Sequence, residues 1–209
     1  MRRWLRRLCQ LYLGLALYGT SMALMVRARL GLDPWDVLQQ GIALKVHHSI
    51  GTVSIAVGAL VLLLWIPLRQ RPGLGTVSNV LVIGLVMNVV LEMVPGQHGL
   101  SRQLPMLVGA ILLCGLATGM YISARLGPGP RDGLMTGLAT RTGWSIRLTR
   151  TVIELVVLGS GWVLGGSVGI GTLAFAFGIG PAAQFFLKLL AIPTAEGEPS
   201  LVPDPVAAA

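Results

Sequence analysis

Residues Ala28 to Gly41 read ARLGLDPWDVLQQG, and residues Ala124 to Gly137 read ARLGPGPRDGLMTG. The two phrases lie 96 positions apart, and the same offset pairs residues well beyond them. Gly19 falls on Gly115, Arg29 on Arg125, Gly31 on Gly127, Pro34 on Pro130, Asp36 on Asp132 and Gly41 on Gly137. Further along, Ser49-Ile50 falls on Ser145-Ile146, Gly73 on Gly169, Gly75-Thr76 on Gly171-Thr172 and Ile83-Gly84 on Ile179-Gly180. Scattered Leu and Val matches arise by chance in an apolar chain. A shared Arg, Pro and Asp with several Gly in one register does not, so the chain reads as two copies of one unit.

Around the phrases the sequence is strongly apolar. Of 209 residues, 54% are hydrophobic and only 11% charged, and the mean hydropathy is +0.76, far from the balance of a soluble domain. Six stretches are long enough to cross a hydrocarbon core: Leu8 to Val26, Ile50 to Leu68, Gly75 to Val94, Leu104 to Ser123, Leu148 to Leu164 and Gly169 to Ala191. The expected fold is an all-α integral membrane protein of six transmembrane helices in one membrane domain, residues 1–192. Its repeats run from about residue 8 to 95 and from about 104 to 191, and residues 193–209, rich in Pro, Ala and Glu, form a disordered tail. Three spans per copy is an odd number, so the second copy enters the membrane from the opposite face. The repeats are then inverted, as in many secondary transporters.

The net charge of +8 would suit nucleic acid in a soluble protein. In this chain the basic residues are read instead by the rule that cytoplasmic loops collect Lys and Arg. With the N-terminus inside, twelve of the sixteen basic residues fall on the inner side and Arg27, Arg29, Lys45 and Arg102 on the outer. That predicts cytoplasmic termini in a bacterial inner membrane, with lipid and no nucleic acid as the surroundings. The N-terminal segment resembles a signal peptide, but its counterpart in mid-chain argues for a retained span.

Within the phrase, Gly31-Leu32-Asp33-Pro34 stops one helix and starts another. Asp33 suits the N-cap, Pro34 the first helical position, and Asp36 the first turn, facing the positive helix end. Gly129, Pro130 and Asp132 take those places in the second copy. The helix from Pro34 to Val46 is about 20 Å long, too short to cross a core of about 30 Å. It either re-enters the membrane or lies at the interface. Arg29 and Arg125 either tie each span to its short helix through Asp36 and Asp132, or face one another and receive an anionic group through their planar forks, or snorkel to the interface.

Glu154 sits deep in a span with no acidic counterpart, since Gly58 takes its place in the first copy. It is a candidate proton or cation site, or the partner of Arg150 one turn earlier. Asn79, Thr136, Thr140 and Gln184 are candidate cavity-lining residues. Gly115 and Gly119, and Gly161 and Gly165, have the spacing for close helix packing. His47, His48 and His98 form no ligand set, Cys9 and Cys114 lie apart in apolar segments, and phosphate-loop or nucleophile signatures are missing. These features predict no metal, no cofactor and no enzymatic activity.

The phrase ARLGLDPWDVLQQG after a first span, with SIGTVSI opening the next, resembles the YitT/YczE/YyaS group of bacterial membrane proteins. The likeness runs from about Leu8 to Leu190, and Gly31, Pro34 and Asp36 are its most specific element. The second copy keeps Gly127, Pro130 and Asp132 but has Arg131 where the first has Trp35, so the halves need not do the same work. The resemblance implies a multi-span inner-membrane protein in a group often suspected of transport. The expected function is a secondary transporter or exporter of a small, anionic solute. The alternative is an accessory protein that regulates a membrane partner or associates with its own copies.

Overall fold

A computed structural model describes residues 2–190. The expected tail and Ala191 lie outside the described residues. The described chain forms eight α-helices: α1 (Arg2–Ala28), α2 (Pro34–Val46), α3 (Ile50–Leu68), α4 (Leu74–Met93), α5 (Leu100–Ser123), α6 (Pro130–Thr142), α7 (Ile146–Val163) and α8 (Ile170–Leu190). The starts of α6, α7 and α8 each fall 96 positions after those of α2, α3 and α4.

Local chemistry explains the boundaries. Asp33 caps α2 by accepting the N–H of Asp36 at 2.8 Å, and Pro34 follows at the first helical position. Gly129 precedes α6 with no side-chain cap. Ser49 and Ser145 cap α3 and α7 by accepting the N–H of Thr52 and Leu148. The two arginines of the phrases occupy the left-handed conformation at the breaks, with φ of 57° at Arg29 and 53° at Arg125.

Five helices are long and apolar enough to cross a membrane: Trp4–Ala28, Ile50–Leu68, Leu74–Met93, Leu100–Ser123 and Ile170–Leu190. The sixth expected span coincides with α7, which is helical but carries Arg147, Arg150 and Glu154 within its 18 residues. Its charges separate it from the other five. Large apolar side chains stand exposed along α3, α4 and α8, among them Ile66, Leu85, Phe177 at 80% and Leu189. Such coverage is unfavourable in water and suits lipid, so the molecule is a multi-pass membrane protein.

At the centre α1 and α5 run antiparallel, with Gly14 against Ala117, Met120 and Tyr121. Around this pair, α4 packs on α1 and α8 on α5, while α2 packs on α7 and α3 on α6. The small-residue pair of α5 works inside the bundle, since Gly115 meets Ala182 and Gly119 meets Phe186 of α8. Gly161 lies against the backbone of Val37 and Leu38, which brings α2 onto α7.

The helix breaks interlock across the two halves. The first four N–H groups of a helix lack intrahelical partners. Gly75 at the start of α4 donates to Leu126 O at 2.7 Å, and Gly171 at the start of α8 donates to Leu30 O, also at 2.7 Å. Both donors and both acceptors are 96 positions apart. Gly31 (φ 113°) and Gly127 (φ 123°) make these approaches, and a Cβ at either would lie within 2.7 Å of atoms of the opposite loop or helix.

Candidate functional site

The short helices begin in the interior rather than at an edge. Trp35 and Asp36 in the first turn of α2 are buried, and Pro130 in the first turn of α6 is buried as well. Their N-terminal ends approach through side chains: the Arg131 guanidinium carbon stands 5.2 Å from the centroid of the Trp35 ring. Trp35 and Arg131 are the same position of the two copies, so a residue meets its own counterpart. Arg131 also lies 3.7 Å from Asp33 Oδ2 and 3.5 Å from Asp36 Oδ1. Its side chain is 27% exposed, whereas Asp33 and Asp36 are only 2% and 1% exposed.

Gln39, one turn into α2, completes the cluster. In the orientation that satisfies its neighbours, its amide donates to Asp36 Oδ1 at 2.9 Å and to Ser54 Oγ at 3.3 Å, and its carbonyl accepts from Arg131 at 3.0 Å. The Trp35 indole N–H is buried without a partner, whereas that of Trp65 donates to Pro130 O at 3.0 Å. Beside the cluster is a cavity of about 80 Å³, whose polar lining includes Tyr18, Gln39, Asn79, Tyr121, Arg131 and Asp132. Gly58 of α3 and Ile83 of α4, both near the middle of their helices, form part of its wall. The cavity is therefore midway along the bundle and large enough to hold water.

The expected site residues separate into two sets. Asp36, Asp132 and Asn79 come together here: Asp36 pairs with Arg131 rather than Arg29, Asp132 Oδ2 accepts from Tyr121 OH at 3.1 Å, and Asn79 lines the cavity. Arg29 and Arg125 do not meet. They follow the C-terminal ends of the antiparallel helices α1 and α5, about 25 Å apart at ~1.5 Å per residue, with Arg29 exposed and 3.1 Å from His98 Nε2. Glu154 accepts from Arg150 at 2.8 Å, one turn away on α7. Thr136 and Thr140 spend their hydroxyls on backbone carbonyls of α6, and Gln184 is exposed on α8. No metal-ligating cluster occurs among the described residues.

Sequence reasoning missed Arg131, Gln39, Tyr18 and Tyr121 as members of one site. Arg131 carried a signal in its own departure from the duplication, a charge where the other copy has Trp35. The two tyrosines carried none, because in the sequence they are amphipathic side chains within apolar spans.

A family profile described as "Family of unknown function (DUF6198)" matches residues 5–188. The chain belongs to that family. It is 42% identical to an "Uncharacterized protein" of Haemophilus influenzae over 87% of this chain and 83% of that one. It is 30% identical to the "Uncharacterized membrane protein YczE" of Bacillus subtilis, over 81% of this chain and 79% of the relative. The "Uncharacterized protein YyaS" of the same organism is 24% identical over 77% of this chain and 82% of the relative. No solved structure matches. The matched residues include the whole cluster region, from Tyr18 to Asp132.

Proposed function

We propose that this protein is a secondary transporter of a small polar solute in the bacterial inner membrane. Its two halves form inverted repeats of three crossings each, with α7 as the sixth crossing and both termini in the cytoplasm. In this reading α2 and α6 are re-entrant half-helices whose N-termini point at the solute site from opposite sides, an arrangement used by transporters with interrupted helices. The observation that carries it is a cavity with several polar and charged groups on its wall, midway along an apolar bundle at the meeting point of the two short helices. Buried ionisable groups at that depth are costly and are seldom retained without a task.

The charge balance bears on the solute. The arginines of the doubled phrases, which motivated an anionic solute, lie at opposite ends, and Arg131 already holds two carboxylates. With Asp132 also on the cavity wall, a neutral or cationic polar solute suits the site better than an anion. Packing supports alternating access, because α3 packs closely on α4 whereas the equivalent helices α7 and α8 make little or no contact. In this reading one gate is closed and its counterpart open.

The test is a thermal-stability screen of purified protein against neutral, cationic and anionic metabolites, followed by flux of the stabilising solutes in proteoliposomes. Asp132→Asn is expected to lower flux at least tenfold while leaving the melting temperature of the free protein within a few degrees. Binding with no flux in wild-type vesicles refutes transport. A stabilising solute whose effect is unchanged in Asp132→Asn refutes the site.

A further inference from the structure

The cluster at the short helices holds two buried carboxylates and one guanidinium that is partly exposed. Asp33 Oδ1 accepts the N–H of Asp36, and its Oδ2 faces Arg131 at 3.7 Å. Asp36 Oδ1 is held by Arg131 and by the Gln39 amide, whereas Asp36 Oδ2, like Asp33 Oδ2, is buried with no hydrogen-bond partner and, unlike it, has no ion-pair contact of its own. Two negative charges one helical turn apart in a low-dielectric interior, with one cation between them, leave one charge uncompensated.

Among the described residues Arg131 is the cation that pairs with these two carboxylates. Helix α3, which packs on α2, has no ionisable side chain. Helix α7 meets α2 near Gly161; its Arg150 pairs with Glu154 and its charge reaches Asp132 and Tyr18 on the cavity wall but not Asp36, and Arg147 lies beyond in the first turn. The ionisable groups nearest from α1 and α5 are Tyr18, Cys114 and Tyr121, and α6 adds another carboxylate, Asp132. A metal ion would need about six oxygen ligands, and no group of three or more His, Cys, Asp or Glu side chains that could hold one occurs among the described residues.

We propose that the Asp33–Asp36–Arg131 cluster is a proton-binding site, with Asp36 as the carrier. A proton from water bonds to Asp36 Oδ2 and converts that carboxylate to a neutral acid, which leaves Asp33 and Arg131 as a balanced ion pair. Release reverses the step and restores the excess negative charge. In the transport reading the proton is then the coupling ion. The site itself is tested without any flux, so either conclusion can fail alone.

Infrared spectroscopy of the purified full-length protein reads the state directly, since a protonated carboxyl has a C=O stretch that a carboxylate lacks. The whole chain has only 8 Asp and Glu, so the background is small. At pH 7 the wild type is expected to show one such band, shifted in D2O and lost at alkaline pH. Asp36→Asn removes it, while Glu154→Gln and Asp132→Asn keep it. Asp33→Asn retains a capping oxygen but removes the neighbouring charge, so Asp36 ionises against Arg131 and the band disappears there too. Absence of the band in the wild type overturns the proposal. So does its survival in Asp36→Asn or, should that variant not fold, in Asp33→Asn.

Discussion

Arg131 shows how one side chain can decide the character of a site. It covers the face of Trp35, bridges Asp33 and Asp36, and lines the cavity beside Asp132. Its guanidinium suits this task because it stays charged, is weakly hydrated and stacks on aromatic faces. Removing it strands a buried carboxylate, so Arg131→Gln is expected to cost about 3–5 kcal/mol. Asp33→Asn keeps the cap while removing the charge, and in combination with Arg131→Gln it should recover more than half of that loss. Chemical denaturation in detergent of the two single variants and the double variant gives the coupling; an additive double variant would mean the charges do not interact. The arginines of the repeated phrases, Arg29 and Arg125, have a humbler role at the left-handed turns that end α1 and α5.

The short helices depend on their breaks as much as on their own sequences. Asp33, Pro34 and Asp36 explain where α2 starts, and the same chemistry, with Gly129 in place of Asp33, explains α6. The expected span Pro34 to Val46 is the span observed. What holds the breaks in place is the exchange in which each loop satisfies the first N–H groups of a helix from the other half. Gly31 and Gly127 are the contact points, and Ala there combines an unfavourable φ with a clash against backbone or threonine oxygen. Gly31→Ala and Gly127→Ala are each expected to cost about 1–3 kcal/mol or more. Gly159→Ala on α7, where a Cβ meets nothing within 4 Å, should be neutral or slightly stabilising. Melting temperatures of the three variants check this, and equal values would remove the interlock from the account.

The two halves repeat one design but do not occupy one conformation. Helices α3 and α4 are joined near one end, where Asn88 Nδ2 donates to Thr52 Oγ1 at 3.3 Å. The equivalent positions on α7 and α8 are Leu148 and Gln184, on helices that make little or no contact. With Cys9 and Cys114 replaced by alanine or serine, the pair Thr52→Cys and Asn88→Cys should crosslink readily with a short bifunctional reagent. The pair Leu148→Cys and Gln184→Cys should do so at least several-fold more slowly. A transported solute or a change of pH that closes one gate should exchange the two rates, and equal rates under all conditions would contradict an open and a closed gate.

The sequence by itself determined the membrane class, the duplication, the helix starts and the short helices, because these follow from local hydropathy, capping and spacing. It also placed Asp36, Asp132 and Asn79 among the candidates that share a site. Only the tertiary structure decided which charges meet. Arg131 reaches Asp33 and Asp36 across almost a hundred residues of chain, and Arg29 and Arg125, alike in sequence, end far apart because α1 and α5 are antiparallel. Such pairings depend on how the two halves pack against each other, and no periodicity along either half records that.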